Sequence, residues 1–207
     1  MLASFSFILF FTFILLAYFR PMNEQINPWK ILGEKKVYEN PWISLTEYDV
    51  LNPSGGKGIY GKVHFKGLAI GILPLDEQLH TWLVGQYRFP LDQYSWEIPE
   101  GGGDLNVEPL ESARRELLEE TGLVAAEWSP LLEMYLSNSV SDEHAICYLA
   151  RGLEQRTAEP EETEQLQVKR VSFEEAYQMV ETGMITDSMS VAAILKVKLM
   201  IADGRIS

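Results

Sequence analysis

The feature that most constrains this chain is a strand-like run that ends in three glycines and leads into an acidic helix. Residues 96–103 read Trp-Glu-Ile-Pro-Glu-Gly-Gly-Gly, and residues 109–121 have helical composition, with Gly122 at the position of a C-cap. Glycine allows tight turns and close approach of the backbone to a ligand. We therefore expect the chain to leave a strand, pass an open site and enter a helix.

The helix has an apolar stripe with carboxylates along its edge. At about 100° per residue, the stripe contains Leu110, Ala113 and Leu117. The carboxylates beside it belong to Glu116, Glu119 and Glu120. Like charges on one face repel, and Arg115 has the four-residue spacing needed to pair with Glu119. Oxygen ligands suit Mg²⁺ or Mn²⁺, so the pattern predicts a divalent metal site. A solvent-facing acidic helix is the alternative interpretation.

The length and net charge of the chain limit the classes of function that it can have. The chain has 207 residues and a net charge of −13, which fits one domain with a sizeable core and argues against binding to a nucleic-acid polymer. If the substrate is a phosphate anion, metal held by carboxylates must offset the repulsion. The one cysteine, Cys147, lies in an apolar run and has no internal partner, so we expect a reducing, cytoplasmic compartment.

The first residues form a separate apolar segment. Met1–Phe19 holds no charged residue, and Arg20 follows. A helix of about 19 residues barely crosses a bilayer, and neither a basic start nor a small-residue cleavage site is visible. Residues 1–21 are therefore a membrane anchor, an atypical signal, or upstream sequence translated from a misassigned start, since Met22 begins a plausible protein.

The rest of the chain is predicted to be mostly β, with two helices at the end. The expected strands are 43–50, 58–65, 68–74, 81–87, 94–98, 131–136, 145–150 and 165–171. Ser172 and Glu175 form a capping-box pattern that opens a helix ending near Gly183. Asp187 or Ser188 caps the last helix. This order predicts an α+β fold in which helices pack on a mixed sheet.

The glycine and helix segment resembles the Nudix box. That family's pattern is Gly, five residues, Glu, seven residues, then Arg-Glu-U-x-Glu-Glu-x-Gly-U, with U aliphatic. The matching residues are Gly101, Arg115, Glu116, Leu117, Glu119, Glu120, Gly122 and Leu123. One position differs, because Val107 stands where the family has its first Glu. The resemblance implies the Nudix fold, with mixed β-sheets sandwiched by helices (α/β/α), and hydrolysis of a nucleoside diphosphate linked to a group X.

The same resemblance implies roles for the box residues. Glu116 and Glu120 are the principal metal ligands, with the carbonyl of Glu100 as a backbone ligand. Glu119 supports catalysis, and Arg115 orients a glutamate by a charge-assisted hydrogen bond. The expected ion is Mg²⁺, with Mn²⁺ as the alternative.

Flanking segments resemble those of ADP-ribose pyrophosphatases. Residues 86–88 (Gln-Tyr-Arg), 96–99 (Trp-Glu-Ile-Pro) and 141–143 (Ser-Asp-Glu) match their Gln-Tyr-Arg, Glu-Leu-Pro-Ala-Gly and Ser-Asp-Glu pieces, and 160–164 matches their acidic catalytic loop. By this resemblance Arg88 and Glu143 bind substrate. Glu161, Glu162 or Glu164 takes a proton from the attacking water or adds a metal ligand. Surface pairing, simple exposure and a solvated loop are the alternatives.

Two aromatic residues lie before the first hairpin. Trp29 and Trp42 are candidates for stacking on an adenine, with core or interface packing as the alternative. In related dimers, N-terminal strands of one subunit help to bind the nucleotide of the other, so a homodimer is expected.

These observations lead to one organisation and one activity. The chain divides into an apolar segment (1–21), an N-terminal β-hairpin region (22–65) and a Nudix hydrolase domain (66–203). The expected reaction is Mg²⁺-dependent hydrolysis of ADP-ribose to AMP and ribose 5-phosphate. The alternatives are another sugar nucleotide as substrate, a Nudix-fold nucleotide sensor without turnover, or a membrane-tethered interaction domain.

Overall fold

The computed structural model describes residues 26–156 and 166–206. The apolar segment 1–21 and the acidic residues Glu161, Glu162 and Glu164 lie outside the described residues. Within the described ranges, no helix combines the length and apolar character needed to span a membrane.

The described chain forms ten strands and three α-helices. The strands are β1 Lys30–Glu39, β2 Ile43–Leu51, β3 Lys57–Phe65, β4 Leu68–Pro74, β5 His80–Arg88, β6 Gln93–Glu97, β7 Glu100–Gly103, β8 Leu123–Leu136, β9 Glu143–Gln155 and β10 Gln167–Ser172. The helices are α1 Pro109–Thr121, α2 Phe173–Glu181 and α3 Ser188–Ala202. The described strands form three sheets with the orders β1-β2-β3, β10-β5-β6 and β7-β4-β9-β8.

The sheet β7-β4-β9-β8 carries helices on both faces. β4 and β9 are parallel, whereas the other pairs are antiparallel. Side chains of a strand alternate between faces: Ile70 and Ile72 pack with Ala113 and Leu117 of α1, while Leu73 joins the core beneath α2 and α3. This is the predicted arrangement of mixed sheets between helices.

Two elements differ from the sequence-based expectation. β1 was not predicted, because its residues do not alternate between apolar and polar and nearly all of them are exposed. Pairing with β2 stabilises it instead. The glycine run was expected only to connect a strand with the helix past an open site, but Glu100–Gly103 itself forms the edge strand β7 against β4. Strands are predicted from alternating apolar and polar side chains. Glycine has no side chain, so the sequence does not indicate a strand here.

The caps of the helices agree with the sequence. Gly122 ends α1 in the left-handed conformation, with φ of 71°. The hydroxyl of Ser172 accepts a hydrogen bond from the Glu175 amide at 3.1 Å. Asp187 caps α3, since its carboxylate accepts from the Ser190 amide at 2.7 Å. Side-chain caps of this kind typically contribute about 1 kcal/mol.

The loop between β8 and β9 fixes the N-terminal sheet to the rest of the domain. The Val63 amide of β3 donates to the Val140 carbonyl at 2.9 Å. Asp142 accepts from Lys62 at 2.7 Å, from His64 at 2.8 Å and from the Phe65 amide at 3.0 Å. β9 begins at the next residue, so this contact also positions the start of that strand.

We expect Asp142→Asn to weaken this contact in a pH-dependent way. Partial burial raises the pKa of Asp142, but hydrogen bonds from Lys62 and His64 outweigh it and lower the pKa to about 2. The stabilisation is therefore present above the ordinary Asp pKa near 3.8 and is lost as pH falls towards 2. At pH 7 the variant should melt roughly 2 °C or more below wild type.

The measurement is thermal unfolding at pH 7 and at pH 2.5, with Asp203→Asn as the control. Asp203 is an exposed aspartate at the end of α3. A difference in Tm that stays constant over this pH range would contradict the assignment.

Candidate active site

Two acidic side chains of α1 are buried at its contact with the sheet. Glu116 is 8% exposed and Glu120 is 4% exposed. The fully buried Ala113 and Leu117 hold this face of the helix against β4. Buried carboxylates are costly without partners, so each of these two acids needs partners close by.

Gly101 provides the space for Glu116. A Cβ added at Gly101 would overlap the Glu116 carboxylate. Only glycine therefore lets β7 approach α1 this closely while the carboxylate stays between them. The first glycine of the sequence motif thus has a steric role that spacing alone does not reveal.

Arg115 holds the acidic face together. Its guanidinium donates to Glu119 at 2.6 Å, to Glu116 at 2.6 Å and to the Gly102 carbonyl at 2.9 Å. The pair with Glu119 has the four-residue spacing noted in the sequence. Burial lowers the pKa of Arg115, but Glu116 and Glu119 outweigh burial and raise it. One cation therefore ties two carboxylates of α1 to the backbone of β7.

The backbone of Glu100 reaches the same face. Its amide donates to a carboxylate oxygen of Glu120 at 3.0 Å. Glu120, Glu116 and the start of β7 are thus joined by direct contacts. The residues that the sequence names as metal ligands meet where β7 passes the side of α1.

These residues fit a hard divalent cation by chemistry, since carboxylate and carbonyl oxygens are the ligands that Mg²⁺ prefers. The Glu116 carboxylate fills the space that Gly101 leaves, which places its oxygens against the backbone of β7. Within residues 26–156 and 166–206, acidic, histidine and cysteine side chains do not form a ready group of three that could hold a metal ion. Arg115 occupies oxygens of Glu116 and Glu119, so metal binding would require these contacts to rearrange.

The Glu100 carboxylate faces the other side of β7. It accepts from Arg88 at 2.7 Å, and Arg88 also forms a forked contact with Glu97, with Nε 3.0 Å from both oxygens. The side chains of Glu97 and Glu100 are only 4% and 9% exposed. Arg88 is therefore paired with two buried acids rather than with a surface acid, and its role in substrate binding stays a prediction.

Asp187 joins this second cluster from the start of α3. Burial raises the pKa of Glu100 well above its ordinary value, and the nearby Asp187 and Glu97 raise it further. Burial and Asp187 also raise the pKa of Glu143. The sequence indicated Asp187 only as a helix cap, and no local pattern marks it as a neighbour of Glu100.

A cleft of about 930 Å³ runs along the edge of β7. Its charged lining residues are Lys66, Arg88, Glu97, Glu100, Glu143 and Asp187. Trp42 and Phe65 also line the cleft. The structure therefore brings Arg88 and Glu143 together with Glu100, and it adds Asp187.

Trp29 lies apart from this cleft. Its ring packs edge-to-face on Tyr60 at 5.4 Å, in a separate pocket beside Ser139. Val107, the departure from the box pattern, is 45% exposed in the turn before α1. Val107 thus lies outside α1, the helix that carries Glu116, Glu119 and Glu120.

Comparison with known families identifies the fold. The sequence profile of the NUDIX domain matches residues 65–188, which is more than half of the chain. The chain belongs to the Nudix family. A second profile, described as the nucleoside diphosphate sugar hydrolase N-terminal domain, matches residues 29–63.

Relatives of this Nudix hydrolase include named enzymes. The ADP-ribose pyrophosphatase of Bacillus subtilis (strain 168) is 30% identical over 172 residues, covering 82% of this chain and 92% of the relative. The ADP-ribose pyrophosphatase of Mycobacterium tuberculosis is 30% identical over 174 residues, covering 83% and 84%. A crystal structure of an ADP compounds hydrolase superposes with a TM-score of 0.77 at 21% identity, over 89% of this chain and 100% of that chain.

Family membership defines the reaction class. This Nudix hydrolase is an enzyme that acts on diphosphate bonds, and the family generally needs a divalent metal ion. The predicted α+β Nudix fold is confirmed. The roles predicted for individual residues, among them Glu116, Glu119 and Glu120, stay predictions.

We expect Gly101→Ala to impair turnover strongly, because its methyl group would displace the Glu116 carboxylate. A fall in kcat of about 10²-fold or more matches the loss of one preorganised electrostatic group. Gly58→Ala, in β3, is the control, since an added Cβ there meets nothing within 4 Å. Circular dichroism should show that both variants fold, and wild-type-like turnover of Gly101→Ala would contradict the steric role.

Proposed function

We propose that this Nudix hydrolase splits the diphosphate of ADP-ribose into AMP and ribose 5-phosphate. The observation that carries the proposal is the convergence of Glu116, Glu120 and the Glu100 backbone around the side-chain-free Gly101. Relatives named ADP-ribose pyrophosphatase, which this chain matches over most of its length, support the substrate.

The proposed ligands for Mg²⁺ are Glu116, Glu120 and the carbonyl of Glu100. When bound, the ion would neutralise the diphosphate and lower the pKa of a coordinated water. Arg115 contacts Glu116 and Glu119 at 2.6 Å, and in this proposal these contacts rearrange when the ion binds. In this proposal Glu162 or Glu164 accepts the proton of the attacking water. The assignment of these two residues rests only on the resemblance of their segment to the acidic catalytic loop of ADP-ribose pyrophosphatases.

Substrate binding is proposed for Arg88 and Glu143 in the cleft. The Arg88 side chain is 33% exposed even though Glu97 and Glu100 hold it. It can therefore contact a phosphate or a ribose without leaving its buried partners. Trp42, which also lines the cleft, offers an aromatic face for the base.

A homodimer is the proposed assembly. The N-terminal sheet exposes large apolar side chains, namely Ile31, Leu32, Val37, Tyr38 and Ile59. Exposed apolar patches of this kind typically mark an interface. Trp29 lies outside the cleft of its own chain, and we propose that it serves the nucleotide site of the partner subunit.

The test of the substrate is kcat/KM for ADP-ribose, GDP-mannose and dGTP at one Mg²⁺ concentration. ADP-ribose should be cleaved at least tenfold better than dGTP. The reason is that the cleft gathers Glu97, Glu100, Glu143 and Asp187, so the extra phosphate charge of a triphosphate is poorly compensated. A tenfold preference for dGTP, about 1.4 kcal/mol, would rule out ADP-ribose, and preference for GDP-mannose would favour another sugar nucleotide.

Glu120→Gln tests the metal ligands. The substitution removes a charge but little volume, so the fold should persist while turnover falls by about 10²-fold or more. Glu127→Gln, on an exposed position of β8, is the matched control. Near-normal turnover of Glu120→Gln at saturating Mg²⁺ would contradict the assignment, as would an equal loss in the control.

Mixing two impaired variants tests the homodimer. Trp29→Ala should raise KM, whereas Glu120→Gln should lower kcat. After unfolding and reassociation together, a mixed dimer has one site with an intact Glu120 and the partner's Trp29. Random pairing should then restore about a quarter of wild-type activity. The proposal would be contradicted if the mixture were no more active than the two variants measured separately, or if sedimentation showed that the protein is a monomer.

A further inference from the structure

Lys66 lies at the junction of the N-terminal sheet with the sheet that carries the site. It falls between β3 and β4, and its side chain is 33% exposed and lines the cleft. The next residue, Gly67, lies so close to the Gly103 carbonyl that an added Cβ would be 2.8 Å from that oxygen. Lys66 is therefore anchored beside the end of β7.

From this place Lys66 contacts the turn between β1 and β2. Its ammonium donates to Glu39 at 2.8 Å and to the Asn40 carbonyl at 2.7 Å. Its backbone amide donates to the Trp42 carbonyl at 2.8 Å. The turn is thus bound to Lys66 through both the side chain and the backbone of that lysine.

Asn40 fixes the remaining backbone of this turn. Its side-chain oxygen accepts from the Trp42 amide at 2.9 Å and from the Ile43 amide at 2.7 Å. Pro41, between them, has a restricted backbone angle. Asn40 therefore sets the shape of the turn, and Lys66 sets where the turn lies relative to the cleft.

The indole ring of Trp42 depends on this turn for its position. The ring lines the cleft, but Trp42 is 73% exposed. Packing of the ring itself therefore contributes little to holding it. The hydrogen bonds made by the backbone of Trp42, with Asn40 on one side and Lys66 on the other, position the ring instead.

We propose that Lys66 is a positioning residue, which holds the turn so that Trp42 stays at the cleft and thereby raises the affinity for the nucleotide base. This inference rests on the proposed function, in which Trp42 offers its aromatic face to the base. Lys66 acts without touching the substrate, since its ammonium is bound to Glu39 and Asn40.

The contact of Lys66 with Glu39 is suited to positioning more than to overall stability. Hydrogen bonds from Lys36 and Lys66 lower the pKa of Glu39 to about 2, so this carboxylate is charged at neutral pH. Exposed ion pairs contribute little to the free energy of unfolding. Replacing Lys66 should therefore leave the protein folded and release mainly the turn.

The test uses Lys66→Met, which removes the ammonium, and Lys66→Arg, which keeps a charged donor for Glu39. Lys57→Met, at the other end of β3, is the matched control. Fluorine NMR of the fluorotryptophan-labelled full chain follows Trp42, and Trp42→Phe assigns its signal among the five tryptophans. Kd for ADP is measured by calorimetry without metal, and KM and kcat are measured for ADP-ribose with Mg²⁺.

Lys66→Met should shift the Trp42 signal before any ligand is added. It should raise Kd and KM by about fivefold or more, the lower end of the effect of removing one stacked ring, with kcat near wild type. Lys66→Arg should restore most of the affinity, and Lys57→Met should behave as wild type. Glu39→Gln should shift the same signal, and it replaces Lys66→Met if that variant fails to fold.

A double-mutant cycle separates positioning from direct contact. Once Trp42→Ala has removed the ring, Lys66→Met should cause no further loss of affinity, because the two residues act through one interaction. Losses that add in the double variant would overturn the positioning role and indicate that Lys66 contacts the diphosphate itself. A Trp42 signal that does not move in Lys66→Met would overturn it as well.

The outcomes also separate this inference from the proposed hydrolysis. A Trp42 signal and an ADP affinity that depend on Lys66, without turnover of ADP-ribose, would support the positioning role and contradict the hydrolysis. Turnover of ADP-ribose with the same KM in Lys66→Met and wild type would contradict only the positioning role.

Discussion

The site depends on one close approach, that of β7 to α1 at Gly101. Because Gly101 has no side chain, the Glu116 carboxylate fits between the two elements. The same approach lets the Glu100 amide reach Glu120 and lets Arg115 reach the Gly102 carbonyl. A larger residue here would displace the Glu116 carboxylate from its place beside the strand. The contacts that this approach allows help to offset the cost of burying the two acids.

Two separate groups of acidic side chains lie on the two sides of β7. On the α1 side, backbone atoms and Arg115 organise Glu116 and Glu120. On the other side, the Glu100 carboxylate belongs to a cluster with Arg88 and Asp187. Successive residues of a strand face opposite sides of the sheet, so Gly101 faces α1 and the Glu100 side chain faces away from it. The proposed metal ligands belong to the first side, and the substrate contacts proposed for Arg88 and Glu143 belong to the second.

The N-terminal sheet is attached to this centre through the loop before β9. Contacts of Asp142 with Lys62 and His64 fix β3 beside the residue that starts β9, which is Glu143. Trp42 reaches the cleft from this sheet, whereas Trp29 does not. The sheet therefore contributes to the cleft of its own chain, and its exposed apolar side chains are the basis of the proposed homodimer.

The sequence by itself determined the local features: the register of α1, its cap at Gly122, the pairing of Arg115 with Glu119 and most of the strands. These follow from spacing within a few residues, where helical and strand periodicity leave few alternatives. Only the tertiary structure decided that Glu100–Gly103 is a strand, that Asp187 meets Glu100, and that Trp29 lies away from the cleft. Each of these depends on contacts between segments far apart in the chain, and no local pattern encodes which distant segment a side chain will meet.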